Sequence, residues 1–290
     1  MATMLVRPKM SGYRIAHRVC SLTVEIRRLT VADVPDCMKL ITDRGWAWPP
    51  EQWEMMLALG PGWGAFDATG LLGTALTTPY PRMQAISGVL VGSWAARRGV
   101  GTGLMTHVLD VTPPGLSSVL FATAMGEPIY TRLGFHPVGG TTELHGEFAG
   151  AAAGVTRPAT PADLAVLAAL DHEVSGFARP ALWERLLDPA SPYRVLMSDS
   201  GVVASRPNPG GVTVGPLIAP SAAVACALVA DLAAGAGRVR VDTGDPEVAA
   251  FLRGRGFEEG GGGCTLMVRG ADDVPGDRSR YFAPASHALG

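Results

Sequence analysis

Residues Val89 to Met105 read VLVGSWAARRGVGTGLM, and this stretch decides the fold. The apolar run Val89-Leu90-Val91 reads as the end of a strand, and Leu104, Met105, Val108 and Leu109 recur at helical spacing. Between them lies a short turn containing Gly99 and Gly101. Glycines there let backbone N–H groups approach a ligand, and the following helix points its free N–H groups and positive dipole end at the same spot. The expected guest is a phosphate or pyrophosphate. A tight βα connection with no ligand uses the same residue types, so the reading depends on the rest of the chain.

The chain has 290 residues, enough for two ordinary domains, each with its own core. Hydrophobic residues at 47% and charged residues at 17% describe a rather apolar globular protein. A formal charge of −2 gives no electrostatic reason to expect nucleic acid or an anionic membrane as partner, which leaves small-molecule chemistry. Cys20, Cys37, Cys226 and Cys264 show no C-x-x-C spacing, so neither a zinc site nor a disulfide framework is implied, and a cytoplasmic location is expected. No apolar run approaches the roughly 18 residues of a membrane span. Residues 1–23 carry Arg7, Lys9, Arg14 and Arg18 without a continuous apolar core, and read as an N-terminal extension rather than a secretory signal.

Leu22 to Ile26 alternates like a strand, and Arg27-Arg28-Leu29-Thr30-Val31-Ala32-Asp33 opens a helix with Thr30 as N-cap. The pattern returns at Arg157-Pro158-Ala159-Thr160-Pro161-Ala162-Asp163, in register 130 residues later. Gly134-Phe135 ahead of Gly139-Gly140 likewise matches Gly256-Phe257 ahead of Gly260 to Gly263. The chain therefore reads as two copies of one α/β unit, joined through GEFAGAAAG at 146–154.

About thirty residues after the glycine turn, Ile129-Tyr130-Thr131-Arg132-Leu133-Gly134-Phe135 closes a short helix and starts a strand. The two motifs in this order resemble the GCN5-related N-acetyltransferase (GNAT) family. The likeness is greatest to bacterial GNAT proteins with a second GNAT-like domain, which share Gly45-Trp46 ahead of Trp53, Leu104-Met105 after the turn, and Gly215-Pro216-Leu217-Ile218-Ala219 in the second copy. The resemblance implies an α/β (α+β, mixed-sheet) fold of two tandem GNAT-like domains, each a central mixed sheet flanked by helices. The catalytic domain is expected over 24–149 and a degenerate copy over 150–290.

The resemblance also implies acetyl-CoA as co-substrate, without a metal. Its pyrophosphate is expected on Arg97, Arg98, Gly99, Val100, Gly101 and Thr102, and its thioester end along Val89, Leu90 and Val91. A bulge in that strand polarises the thioester carbonyl, with Leu90 or Val91 supplying the N–H, and Tyr130 protonates the departing thiolate. Two departures stand out. Ala96 occupies the position of the family's leading Arg or Gln, leaving Arg97 or Arg98 to supply charge. The second copy lacks a glycine pair after Leu217 and carries Leu252 where the first has Tyr130, so it is expected to do no chemistry and to close or stabilise the first half's pocket.

No carboxylate lies within Gln84 to Val91, so the base is open. Candidates are water, Glu51 or Glu54, or the tail through His287 or the carboxylate of Gly290. Trp46, Trp48, Glu51 and Trp53 are candidate substrate contacts, the indoles serving either as a wall or as core. His107 reads as surface, and His136 and His145 have no visible partner. The expected activity is acetyl transfer to a small-molecule amine by direct attack in a ternary complex, from a monomer or homodimer. The alternatives are a GNAT-fold acyltransferase using another acyl-CoA or nucleophile, and a catalytically silent acyl-CoA-binding or regulatory protein.

Overall fold

The computed structural model describes residues 24–46, 48–208 and 210–290, so the N-terminal extension, Cys20 and the start of the first expected strand lie outside the described residues. The first half runs β1 (Glu25–Arg28), α1 (Val34–Arg44), α2 (Pro50–Leu59), β2 (Gly62–Asp67), β3 (Gly70–Pro79), β4 (Met83–Val91), α3 (Val100–Asp110), β5 (Ser117–Ala122), α4 (Glu127–Arg132) and β6 (His136–Glu147). The second repeats the order: β7 (Arg157–Pro158), α5 (Leu164–Ser175), α6 (Pro180–Leu186), β8 (Arg194–Met197), β9 (Val202–Asn208), β10 (Gly211–Ile218), α7 (Ala222–Ala233), β11 (Arg238–Thr243), α8 (Pro246–Arg253), β12 (Glu258–Glu259) and β13 (Cys264–Arg269). A final strand, β14 (Tyr281–Ala283), belongs to the tail.

The repeat is visible in its local chemistry. Arg27 bridges Asp33 at 2.7 Å, and that carboxylate accepts the Thr30 N–H at 2.9 Å. Arg157, Asp163 and Thr160 make the same clamp at 2.7 and 2.8 Å. Each clamp forms a capping box over one 3-10 turn, and α1 or α5 follows directly.

Strand pairing crosses between the halves. Among the described residues fourteen strands form one sheet, with β13 lying between β5 and β6. Thus β13, from the second half, completes the sheet of the first, Val268 pairing with Val119 and Leu266 with Gly139. Reciprocally, the second part of β6 runs on into the second half, where Val241 of β11 pairs with Leu144 and β12 lies along its other edge. The expected strand over Thr141 to His145 is therefore the centre of a twelve-residue strand shared by both halves. Position 150 divides the chain but not its hydrogen bonding.

The linker proper begins at Phe148, since Gly146 and Glu147 are in β6. Its far end is pinned by Asp231, whose carboxylate accepts the N–H groups of Gly154, Val155 and Thr156. The halves also share a core, in which Leu40, Trp53 and Met56 from α1 and α2 join Leu167, Leu182 and Trp183 from α5 and α6. No helix among the described residues is long and apolar enough to cross a membrane.

Candidate active site

The first half's cleft starts where two parallel strands part. β4 pairs with β5 only over Met83–Ala85 against Ser117–Val119, and beyond Ala85 the strands diverge. On its other edge β4 slips register against β3, so that the step from Ser87 to Leu90 lies opposite that from Leu76 to Thr74. The extra residue makes a bulge. Gly88 takes it at φ +55°, and Thr74 Oγ1 fixes it by donating to the Gly88 carbonyl at 2.7 Å. The bulge presents Gly88 and Val89 to the cleft, whereas Leu90 is buried in the core and Val91 packs toward Gly101.

The glycine turn follows. Ser93 donates its N–H and hydroxyl to Asp43 at 2.7 and 2.6 Å, tying the turn to the end of α1. Arg97 and Gly99 both have positive φ, which turns the chain sharply into α3. Arg98 is held by Asp67 at 2.8 Å, while Arg97 is exposed and has no ion-pair partner among the described residues. Gly103 makes the first intrahelical bond, to Gly99, so the N–H groups of Val100, Gly101 and Thr102 at the head of α3 have no helical acceptor.

A cavity of about 530 Å³ extends from this cleft into the gap between the halves. Tyr130 lines it, and its hydroxyl makes no hydrogen bond among the described residues. Burial, with a smaller contribution from the neighbouring Cys264, pushes the phenol up to about 12. Cys264 is itself in the cavity lining because β13 has crossed over, and burial pushes its thiol up to about 11. His287 lies over Phe121 with ring centroids 4.6 Å apart, its Nε2 2.9 Å from Thr141 Oγ1. Burial pushes this imidazole down to about 4.

The opposite wall comes from the second half's sheet. Alternation along β11 sends Val239 and Val241 into the core beneath α7 and α8, and Arg238 and Arg240 to the other face. Register aligns Arg206 of β9, Thr213 of β10, Arg240 of β11 and His145 of β6 in one row across four strands. Arg240 contacts Asp242 at 2.9 Å and Glu143 at 3.1 Å, and these carboxylates keep its guanidinium above its ordinary value despite burial. His145 is 3.5 Å from Glu143. Arg206, by contrast, has neither ion pair nor hydrogen bond among the described residues, and burial pushes it below the ordinary arginine value.

Of the expected substrate contacts, Trp46 and Trp48 line this cavity, ring centroids 5.6 Å apart. Glu51 instead lines an adjoining cavity of about 380 Å³, and Glu54 is exposed. Trp53 cannot be a substrate contact. It is 0% exposed, at the position matching the equally buried Trp183, because α2 turns that face into the shared core. Of the tail candidates only His287 reaches the cavity, since Arg179 draws the Gly290 carbonyl away at 3.2 Å. His107 packs against Trp63, and His136 lies near the Asp272 carbonyl. The whole second-half wall, with Glu143 and His145, was absent from the sequence-based site.

The equivalent cleft in the second half is closed. β10 pairs with β11 over Val212–Val214, and where the strands would part, β14 pairs with β10 at Leu217 and Ile218. At the head of α7, Ser221 accepts the Val224 N–H, so a side chain occupies the place where the first half presents free N–H groups.

Residues 167–283 match the family model of the acetyltransferase (GNAT) domain. Over these residues the chain is similar to the GNAT acetyltransferase domain. Over 243 residues it is 26% identical to YitH of Bacillus subtilis (strain 168), an N-acetyltransferase that is itself uncharacterised; the match covers 75% of this chain and 81% of YitH. Its fold is similar to that of a Pyrococcus horikoshii protein assigned as an acetyltransferase, with TM-score 0.80, 18% identity and coverage of 92% of this chain and 96% of the other. It also superposes on a tandem GNAT protein from the clavulanic acid biosynthesis pathway, with TM-score 0.61, 12% identity and coverage of 87% and 100%. The fold is that of the tandem GNAT proteins. The GNAT family match falls on the half whose cleft is closed, while the open cleft, glycine turn and tyrosine belong to the other.

Proposed function

We propose that the chain transfers an acetyl group from acetyl-CoA to the amine of a small molecule, in a ternary complex, using the first half's cleft. The observation that carries this reading is the parted β4–β5 edge, which ends at unbonded helix N–H groups and has the free Tyr130 hydroxyl beside it. The class of chemistry, acyl transfer, follows from the GNAT domain and the N-acetyltransferase relative.

The residues fit the co-substrate. The N–H groups of Val100, Gly101 and Thr102 donate to the pyrophosphate oxygens, with Arg97 adding charge from the rim. Beyond Ala85 the β4 edge has no strand on its β5 side, leaving main-chain groups for the pantetheine amides. The bulge at Gly88 and Val89, rather than Leu90 or Val91, supplies the N–H toward the thioester carbonyl on this reading, which the register slip supports. Attack by the neutral amine forms the C–N bond and breaks the C–S bond; Tyr130 gives its proton to the departing sulfur, and the proton lost from the amine nitrogen leaves through water and restores the phenol. The phenol is protonated at neutral pH, and because burial pushes it up to about 12 it gives up its proton only as charge develops on the sulfur.

Isothermal titration with acetyl-CoA, followed by thiol release over a panel of amines, tests the reading. One site per chain and amine-dependent thiol release are expected. Gly101→Val abolishes binding, because a Cβ at Gly101 already lies 3.3 Å from Val91 Cγ2 and a branched side chain projects among the N–H groups that hold phosphate. Two sites per chain, or unchanged affinity in the variant, refutes it. Binding without transfer to any amine favours the silent acyl-CoA-binding alternative.

A further inference from the structure

The charges on the second-half wall do not balance. Glu143 and Asp242 are both taken up by Arg240, at 3.1 and 2.9 Å. Arg206 is one row member away from Arg240, across Thr213, and faces the same cavity. It is half-buried and has no anionic partner among the described residues. Asn208, the next residue on its face, already donates to Thr213 Oγ1 at 2.7 Å and offers Arg206 no charge. A guanidinium kept partly out of water without a carboxylate loses hydration and regains nothing, an arrangement that costs stability unless an anion completes it. The planar fork of arginine suits a carboxylate, which it grips through two parallel hydrogen bonds.

We propose that the acyl acceptor is an amine that also carries a carboxylate, and that Arg206 binds that carboxylate from the second-half wall while the amine faces the first-half cleft. The inference rests on the acetyl-transfer reading and deepens it by naming the acceptor's class. Arg238 also lines the cavity without an ion pair among the described residues but is exposed and keeps its water, so Arg206 is the half-buried guanidinium of this wall that an anion would complete, and one guanidinium matches one negative charge. A phosphate dianion would meet the same cation with Glu143 and Asp242 close by, and their repulsion disfavours it. Arg206 is a binding residue here, remote from the bond-making atoms. The two halves then divide the work: one holds the acyl donor and the other selects the acceptor.

The test compares each of a set of free α-amino acids with its amide, first by ligand-observed NMR with the protein saturated with CoA, then by thiol release with acetyl-CoA. The wild type is expected to bind at least one amino acid and to discriminate against its amide by about 10²-fold, the size expected when a buried charge loses its partner. Arg206→Gln removes that discrimination while leaving CoA affinity near wild type and the acceptor-free melting temperature no lower than wild type, and Arg206→Lys restores part of the discrimination. Equal binding of acids and amides, or binding of neither, overturns the inference, as does discrimination that survives in Arg206→Gln. The wild-type comparison stands even if the variants fold poorly. Acid-selective binding without thiol release defeats acetyl transfer but keeps the carboxylate site. Release from amides and acids alike defeats the site but keeps acetyl transfer.

Discussion

Met267→Ala tests the exchange of strands. Met267 is fully buried, and its neighbours are first-half residues: Leu120, Ala122, Tyr130 and Phe135. Deleting a buried methionine side chain to alanine costs about 3 kcal/mol. For a chain of this size each kcal/mol moves the melting temperature by roughly 2–4 °C, so a drop of about 6–12 °C is expected. The decisive readout is where the loss appears. Hydrogen exchange should show β5 amides losing protection together with those of β13, although Met267 belongs in sequence to the second half. The same reasoning applies to a chain ending at Glu147. That fragment lacks Leu266, Met267 and Val268, three buried side chains contributing roughly 1.5–3 kcal/mol each. Their sum is comparable with the whole stability of a typical domain, about 5–15 kcal/mol. The fragment should neither unfold cooperatively nor bind acetyl-CoA. A well-folded, CoA-binding fragment, or a Met267→Ala effect confined to second-half amides, would refute the exchange.

Tyr130→Phe should lower turnover by about 10²-fold with little change in acetyl-CoA affinity, measured by steady-state kinetics and titration; equal losses in both would make the ring structural. Because burial pushes this phenol up to about 12, its ionisation should cause no loss of rate up to about pH 10. His287 predicts the opposite end of the pH scale. Above its ordinary 6.5 both folded and unfolded chains hold it neutral, and between 6.5 and the folded value of about 4 only the unfolded chain takes up the proton. Stability should therefore fall as pH drops through that window, by roughly 3 kcal/mol at its acid end, and His287→Asn should flatten the fall in acid-denaturation curves.

What could be read from the residues was what short-range chemistry dictates. The glycine turn at 99–101 and the Arg27–Thr30–Asp33 clamp each act within a few residues, so both were legible, as was the repeat. Leu252 in place of Tyr130 marked the second half as lacking that acid. The exchange was not legible, because Cys264-Thr265-Leu266-Met267-Val268-Arg269 is an ordinary half-buried strand in either sheet. Which sheet it joins depends on where β6 leaves a gap, a property of the assembled chain. The sequence leaves Trp53 open between wall and core because an aromatic beside Gly45-Trp46 looks alike whether its helix turns it inward or outward, and α2 turns it inward. The Arg-Val-Arg-Val-Asp alternation at 238–242 did announce a strand with one polar face, and such a face is ordinarily solvated. Only the presence of the other half across it turns that face into a cavity wall.

The closed cleft of the second half and part of the cavity lining are joined by one segment, β14 and the tail that follows it. β14 fills the gap between β10 and β11, so this copy no longer needs a glycine turn, and Ser221 caps α7 instead. The chain that runs on from β14 carries Ser286, His287 and Ala288 to the cavity on the first-half side. Tyr80 then donates its hydroxyl to the Leu289 carbonyl at 2.7 Å, and Arg179 donates to the same oxygen at 3.2 Å, so both halves hold the tail. The segment that shuts one cleft thus furnishes part of the other's lining. Under the proposed reading, in which the first half alone binds the donor, the second half's sheet face can vary in its acceptor contacts without disturbing the donor site. If the first half binds the donor as proposed, substitutions on β9, β10 and β11, across the gap from Tyr130, should change which acceptor is used while leaving acetyl-CoA affinity unchanged, and acetyl transfer over a panel of amines checks this.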